Sequence, residues 1–130
     1  MDAFTVTATI TASPQTVYSA WLSSKGHTDM TGGTAKCSAK AGGAFTAWDG
    51  YITGKNLELV AGEKIVQTWR TTEFLDDDPD SQIELTLAQS ESGTKLTLKH
   101  TGIPAGQGGD YKSGWTEFYF TPMKAYFGRK

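Results

Sequence analysis

Two histidines and one cysteine are the side chains in this sequence best suited to acid–base or nucleophilic chemistry. His100 follows Leu96 and Leu98 at a spacing of two, which predicts that its imidazole lies on the apolar side of a strand. A lone buried histidine is more often held by a hydrogen bond than used as a base, so we interpret His100 first as structural. His27 lies in a polar segment flanked by glycine, and we expect it to be exposed. Cys37 has no histidine fixed beside it by sequence, so covalent catalysis is not supported.

Metal and cofactor binding are not indicated. No pair among these three residues has the spacing of metal ligands, and we predict neither a metal nor a cofactor. Asp76, Asp78 and Asp80 resemble the opening of a calcium loop. However, Ser81 stands where that loop requires glycine and Leu87 where it requires glutamate. We therefore interpret this segment as a solvated hairpin tip.

Aromatic side chains are the most distinctive feature, with 4 Trp, 5 Tyr and 6 Phe among 130 residues. Such rings can line an apolar ligand cavity or fill an ordinary core, and the sequence leaves both possibilities open. Gln67, on the inward side between Ile65 and Trp69, could orient a ligand or satisfy His100. The predicted ligand-binding residues are Phe45, Gln67, Trp69, His100, Trp115, Phe118, Tyr119 and Tyr126.

A curved antiparallel sheet is the scaffold that the chain predicts for these side chains. Residues 4–11 alternate apolar side chains with threonine, which indicates a half-buried strand, and Ser13-Pro14 predicts the start of a short helix. Leu57 and Leu59 share one parity, and we expect both to face inward. Further strand-like runs, joined by connections too short for crossover helices, are 44–53, 56–60, 65–72, 81–88 and 95–101.

A long amphipathic helix is predicted from Asp110 onward, with Asp110 as its cap. Pro122 lies inside this pattern, removes one backbone hydrogen bond and predicts a bend. The glycine-rich segment 102–109 before the helix is interpreted as a mobile lid. The apolar stripe of the helix recurs at Trp115, Phe118, Tyr119, Pro122, Met123, Tyr126 and Phe127.

Composition narrows the class of protein. A chain of 130 residues suits one domain, expected to span residues 1–130, and a formal charge of −2 without a basic cluster argues against a nucleic-acid partner. One cysteine allows no internal disulfide and fits a reducing compartment. No stretch approaches the roughly 20 apolar residues of a membrane span, and the N-terminus lacks a signal-peptide pattern. We therefore expect a cytoplasmic protein without a membrane span.

The order of strand, short helix, antiparallel meander and long C-terminal helix resembles the START-like, or SRPBCC, superfamily. Finer motifs resemble the domain family named for homology to the activator of the heat shock protein 90 ATPase. These motifs are ASPQTVY at 12–18, GGAF at 42–45, GKNLELV at 54–60, KIVQTWR at 64–70, LTL at 96–98, TGIP at 101–104, and GW at 114–115 before PMK at 122–124. The resemblance implies an α+β helix-grip fold, in which the sheet wraps the C-terminal helix around a cavity. For the eukaryotic activator, a larger two-domain protein, it also implies chaperone binding.

Three functions follow as hypotheses. The first is a non-enzymatic binding domain that holds a small hydrophobic or aromatic ligand between sheet and helix. The second is a chaperone-associated interaction factor. The third is a cyclase-like or hydratase-like enzyme using His100 with Tyr119 or Asp49. A measured cavity favours the first over the second, and the third requires His100 within hydrogen-bond reach of an acid.

Overall fold

A six-stranded antiparallel sheet is the frame of the protein in this computed structural model, which describes residues 1–128. Along the sheet the strands run in the order β1, β6, β5, β4, β3, β2, so the first strand of the chain pairs with the last. The strands are β1 (Asp2–Ile10), β2 (Ala44–Ala47), β3 (Ile52–Val60), β4 (Lys64–Thr71), β5 (Ser81–Ser90) and β6 (Gly93–Ile103). The predicted antiparallel meander is confirmed.

Two short helices follow the first strand, of which the sequence predicted only one. In α1 (Pro14–Leu22) the Ser13 hydroxyl accepts the Thr16 backbone N–H, as the Ser-Pro signal indicated. The second helix, α2 (Ser24–Thr31), was missed because its polar composition carries little apolar periodicity. Its ends nevertheless have chemical signals: Ser23 caps its start, and Gly32 ends it at a φ of 86°.

The predicted strand at 44–53 is wrong in its extent. A turn divides it into β2 and β3, and residues 56–60 are the end of β3 rather than a separate strand. A bulge between Asn56 and Glu58 then changes the inward parity within β3, so Leu59 packs against the core as predicted but Leu57 does not. As a result Leu57 is 50% exposed, contrary to prediction, whereas Asn56 is buried at 1% exposure.

The C-terminal helix is one continuous rod with three segments: α3 (Gly108–Gly114), a π-helical segment (Trp115–Phe120) and α4 (Thr121–Gly128). It begins after Gln107 without a side-chain cap, so the prediction of Asp110 as the cap is wrong; Asp110 lies in the first turn. The π-helical segment ends at Phe120, two residues before Pro122. The bend predicted at Pro122 stays a prediction.

The π-helical segment changes which aromatic side chains face the sheet. Its hydrogen bonds run from i to i+5, so residues four and five apart share a face instead of residues three and four apart. Tyr119 and Phe120 are therefore both buried beside Trp115, while Phe118 is 49% exposed. Buried side chains of this rod pack with the inward faces of the strands in one core, as in the predicted helix-grip arrangement.

Candidate ligand-binding site

A cavity of about 400 Å³ lies between the C-terminal helix and the sheet. From the sheet side and its turns it is lined by Trp48, Tyr51, Ile52, Trp69 and Glu73. From the helix it is lined by Asp110, Tyr111, Gly114, Trp115, Phe118 and Tyr119. Pockets of this size and apolar character are typical of small-molecule sites.

The cavity has a deep end and a mouth. Trp115 and Trp69 lie at the deep end, 2% and 4% exposed, with ring centroids 5.5 Å apart. At the mouth, Phe118 and Tyr51 keep 49% and 36% of their surfaces exposed. An apolar molecule that entered the mouth would therefore cover ring surface that now faces water.

Trp48 forms one side of the mouth from a strained turn. Its φ is 52° and that of Asp49 is 58°, a left-handed conformation that aspartate tolerates but that is unfavourable for tryptophan. The ring meets Phe118 edge to face at a centroid distance of 5.7 Å. It also packs on Gly33, where a Cβ atom would come within 2.3 Å of the indole. Sequence reasoning missed Trp48, because the Asp49-Gly50 turn signal says nothing about where the preceding side chain points.

His100 lies behind the deep end, fully buried, with both ring nitrogens engaged. The Trp115 indole N–H donates to its Nδ1 at 3.1 Å, so Nδ1 must be unprotonated and the proton resides on Nε2. The Nε2–H then donates to the Ser81 hydroxyl at 2.9 Å, which itself donates to the Trp69 carbonyl at 2.5 Å. Burial lowers the pKa of His100 to about 3, which keeps the ring neutral. Its inward position is as predicted, and its role here is to hold the two tryptophans.

His27 is buried at 2% exposure, so the prediction that it is exposed is wrong. The missed helix α2 brings it against the C-terminal helix, where the Tyr119 hydroxyl bonds its Nε2 at 2.8 Å. Its Nδ1 must donate, because its partner at 2.8 Å is the Trp21 carbonyl. Tyr119 is therefore the donor to Nε2. Burial lowers the pKa of His27 and raises that of Tyr119.

Gln67 belongs to a separate buried network. Its side-chain oxygen accepts the Trp21 indole N–H at 3.1 Å, and its amide donates to Asn56 at 2.8 Å. Neither His100 nor the cavity is its partner, so both roles considered for it from sequence are replaced by a structural one. The bulge that buries Asn56 supplies this partner.

Of the eight predicted ligand-binding residues, the structure brings four together around the cavity: Trp69, Trp115, Phe118 and Tyr119. The other four lie outside its lining. His100 and Gln67 are behind the wall, Phe45 is buried against Gly54, and Tyr126 stacks edge to face on Phe127 at 5.0 Å. Burial was predicted correctly for most of these side chains. A buried side chain can either line the cavity or pack behind its lining, and the sequence pattern did not separate these two positions.

The residues considered for catalysis are not brought together. His100 is bonded to Ser81 and Trp115, whereas Tyr119 is bonded to His27, and Asp49 lies in the exposed turn. Within residues 1–128 there is no cluster of three or more potential metal-ligating side chains. None of the helices described in that range is long and apolar enough to cross a membrane.

The glycine-rich segment 102–109 is tied to the first strand. The Asp2 carboxylate accepts the backbone N–H groups of Gly106 and Gly108, each at 2.9 Å. None of the residues 102–109 lines the cavity, and the first lining residue after this segment is Asp110. Its action as a mobile lid stays a prediction.

A sheet wrapped around a C-terminal helix, with a cavity between them, defines the class of START-like helix-grip domains. Within this class the chain belongs to the family described as Activator of Hsp90 ATPase homolog 1-like protein, whose model matches residues 11–128. The family resemblance seen in the sequence is thus confirmed.

Named relatives and solved structures agree with this assignment. The human activator of 90 kDa heat shock protein ATPase homolog 1 is 29% identical over 124 residues, which cover 95% of this chain and 36% of that protein. The crystal structure of an HSP90 activator from Plasmodium falciparum aligns with a TM-score of 0.87 and 26% identity, covering 97% of this chain and 96% of that one. A Chromobacterium violaceum protein aligns with a TM-score of 0.79 and 27% identity over the full length of both chains. The chain spans about a third of the length of the human relative.

Proposed function

We propose that residues 1–130 act as one START-like domain that binds a small hydrophobic or aromatic molecule without catalysing its conversion. The observation that carries this proposal is the cavity of about 400 Å³ whose walls are mostly aromatic. Rings that only formed a core would pack against one another and leave no such space. Here the cavity ends on two tryptophans that contact each other and that a shared histidine holds in place.

The polar groups around the cavity suit binding better than reaction. The Tyr111 hydroxyl is already bonded to Thr71 and to the Gln107 amide oxygen, each at 2.7 Å. His100 is neutral and bonded at both nitrogens, so it offers no free base to a ligand. A site with fixed apolar walls and satisfied polar groups holds a ligand by shape and buried area.

Titration with the fluorescent apolar probe N-phenyl-1-naphthylamine tests this proposal. We expect saturable binding near one molecule per chain, with quenching of tryptophan emission because Trp69, Trp115 and Trp48 would contact the probe. The variant Phe118→Ala should weaken binding by roughly 5-fold or more, since it deletes a ring whose exposed half the probe would cover. Leu57→Ala is the matched control, because Leu57 is equally exposed, 50% against 49%, and lies outside the lining.

Two results would reject the proposal. One is probe fluorescence that rises only as the protein unfolds. The other is the same loss of affinity in Phe118→Ala and Leu57→Ala, because that result would indicate adsorption to the general surface.

The second candidate is a protein-interaction role with an Hsp90-type chaperone. The names of the human relative and of the Plasmodium falciparum structure favour it, since both are called activators. Its test is the ATPase rate of a purified Hsp90 with and without this chain, together with binding by calorimetry. Binding with a changed ATPase rate supports this role, and no binding at micromolar concentrations of both proteins rejects it.

A further inference from the structure

The charged side chains that line the cavity are all acidic. Within residues 1–128 the charged side chains of its lining are Glu73, from the turn after β4, and Asp110, from the first turn of the C-terminal helix. Among the described residues no lysine, arginine or histidine lines it. A ligand at the mouth would therefore meet negative charge and aromatic rings, without a basic side chain.

These two carboxylates are available to a ligand. Both side chains are exposed at the mouth, and the Tyr51 hydroxyl donates to Glu73. Neither carboxylate belongs to an ion pair within residues 1–128, where the pairs are Lys25–Asp29, Lys64–Glu58 and Arg70–Asp80. Their negative charge is thus not cancelled by a neighbouring cation of the described chain.

The negative potential extends to the aromatic wall. The pKa of Tyr111 is raised mainly by burial, and the charges of Glu73 and Asp110 raise it further. The faces of tryptophan and tyrosine rings are themselves electron-rich and attract cations, especially where water is excluded. The rings of the cavity lining offer three Trp, three Tyr and one Phe for such contacts.

We propose that the molecule bound in this cavity is a cation on an apolar body, namely a quaternary ammonium or a protonated amine attached to an aromatic or aliphatic group. The apolar body would lie against Trp69 and Trp115 at the deep end of the cavity. The cationic group would lie among the mouth rings within reach of Glu73 and Asp110. This inference rests on the proposed function, because it specifies the ligand class of the same cavity.

Three probes of nearly equal shape test the sign of the charge: benzyltrimethylammonium, its neutral carbon isostere neopentylbenzene, and the anion phenylmethanesulfonate. Each competes with bound N-phenyl-1-naphthylamine. We expect benzyltrimethylammonium to displace the probe at a concentration roughly 10-fold lower than neopentylbenzene, with the anion weakest. Added salt should reduce this preference, because the carboxylates are exposed.

Charge-neutralising variants test the residues. Asp110→Asn and Glu73→Gln should each weaken benzyltrimethylammonium by roughly 3-fold or more and leave neopentylbenzene unchanged. Asp76→Asn is the control, because it removes one negative charge at an exposed residue outside the lining. An equal effect of Asp76→Asn would overturn the assignment to Glu73 and Asp110.

The outcomes separate this inference from the proposed function. Displacement by neopentylbenzene at an equal or lower concentration than by benzyltrimethylammonium overturns the cationic inference and leaves the cavity proposal standing. Failure of benzyltrimethylammonium to displace a bound probe also overturns the inference alone. Failure of N-phenyl-1-naphthylamine to bind the folded protein overturns both.

Discussion

At the scale of single residues, His100 is the link between the sheet and the ligand cavity. It accepts from Trp115 of the helix and bonds Ser81, which bonds the backbone of Trp69. One neutral imidazole thereby fixes the positions of the two deep tryptophans. Its inward position followed from strand parity, but its partners come from other elements and are not readable from local sequence.

The lowered pKa of His100 predicts a specific pH dependence of stability. The unfolded chain protonates this histidine near pH 6.5 and the folded chain only near its pKa of about 3. The unfolded state therefore binds more protons in this window. The free energy of unfolding should fall by about 2 kcal/mol from this residue as the pH drops from 7.5 to 5.

Urea unfolding at several pH values checks this prediction in the wild type and in His100→Asn, which keeps an acceptor for the Trp115 indole. The variant should be less stable than the wild type at pH 7.5. Between pH 7.5 and 5, however, its free energy of unfolding should fall by about 2 kcal/mol less than that of the wild type. The pH dependence of stability that remains in the variant comes from His27, whose pKa is also lowered. An unchanged pH profile in the variant would mean that His100 is protonated alike in both states.

At the scale of elements, the π-helical segment decides which rings line the cavity. The sequence pattern assumed regular α-helical spacing, which predicts Phe118 inside and gives no inward role to Phe120. The observed spacing buries Tyr119 and Phe120 and leaves Phe118 at the mouth. A π-helical segment depends on the whole tertiary context, since its hydrogen bonds are not favoured by local propensity, so sequence could not reveal it.

Single-residue deletions in this helix test the role of the π-helical segment. Removal of the exposed Glu117 should convert the segment to α-helix and keep Tyr119 and Phe120 on the face of Trp115, now three and four residues away. Removal of the exposed Lys112, in a regular α-helical turn, should instead rotate Tyr111 away from Trp115. We expect thermal unfolding to show a folded Glu117 deletion and a much less stable Lys112 deletion. Equal destabilisation would contradict this account.

The turn between β2 and β3 holds Trp48 at the mouth, where its indole packs on Gly33. A substitution at Gly33 can therefore displace the indole without changing the turn itself. In Gly33→Ala the new methyl group would overlap the Trp48 indole, since the Cβ position lies 2.3 Å from the ring. Because the ring must shift, we expect weaker binding of N-phenyl-1-naphthylamine with a modest loss of stability. Gly109→Ala is the control, because no atom lies within 4 Å of its Cβ position. Wild-type affinity in Gly33→Ala would mean that Trp48 is not part of the binding wall.

At the scale of the whole molecule, much of the fold was predictable, whereas the set of residues that lines the cavity was not. Alternating Thr and apolar residues in β1, the Ser13-Pro14 signal and the short connections predicted the order of elements, because each depends on local chemistry. The β3 bulge at Asn56 and helix α2 around His27 were missed, since tertiary partners stabilise them. Whether Trp69 and Trp115 contact a ligand or only each other depends on interatomic gaps that no residue pattern encodes.

The variant Gly114→Leu tests whether this protein binds an apolar ligand in the cavity. Gly114 lines the cavity, and a Cβ atom there would meet only the Phe118 ring, at 3.8 Å, so a leucine side chain would extend into the empty space. Leucine also has a higher helix propensity than glycine, by roughly 1 kcal/mol. We expect that N-phenyl-1-naphthylamine binding is lost while the free energy of unfolding stays equal or rises. A folded Gly114→Leu protein that binds the probe with wild-type affinity would contradict this expectation.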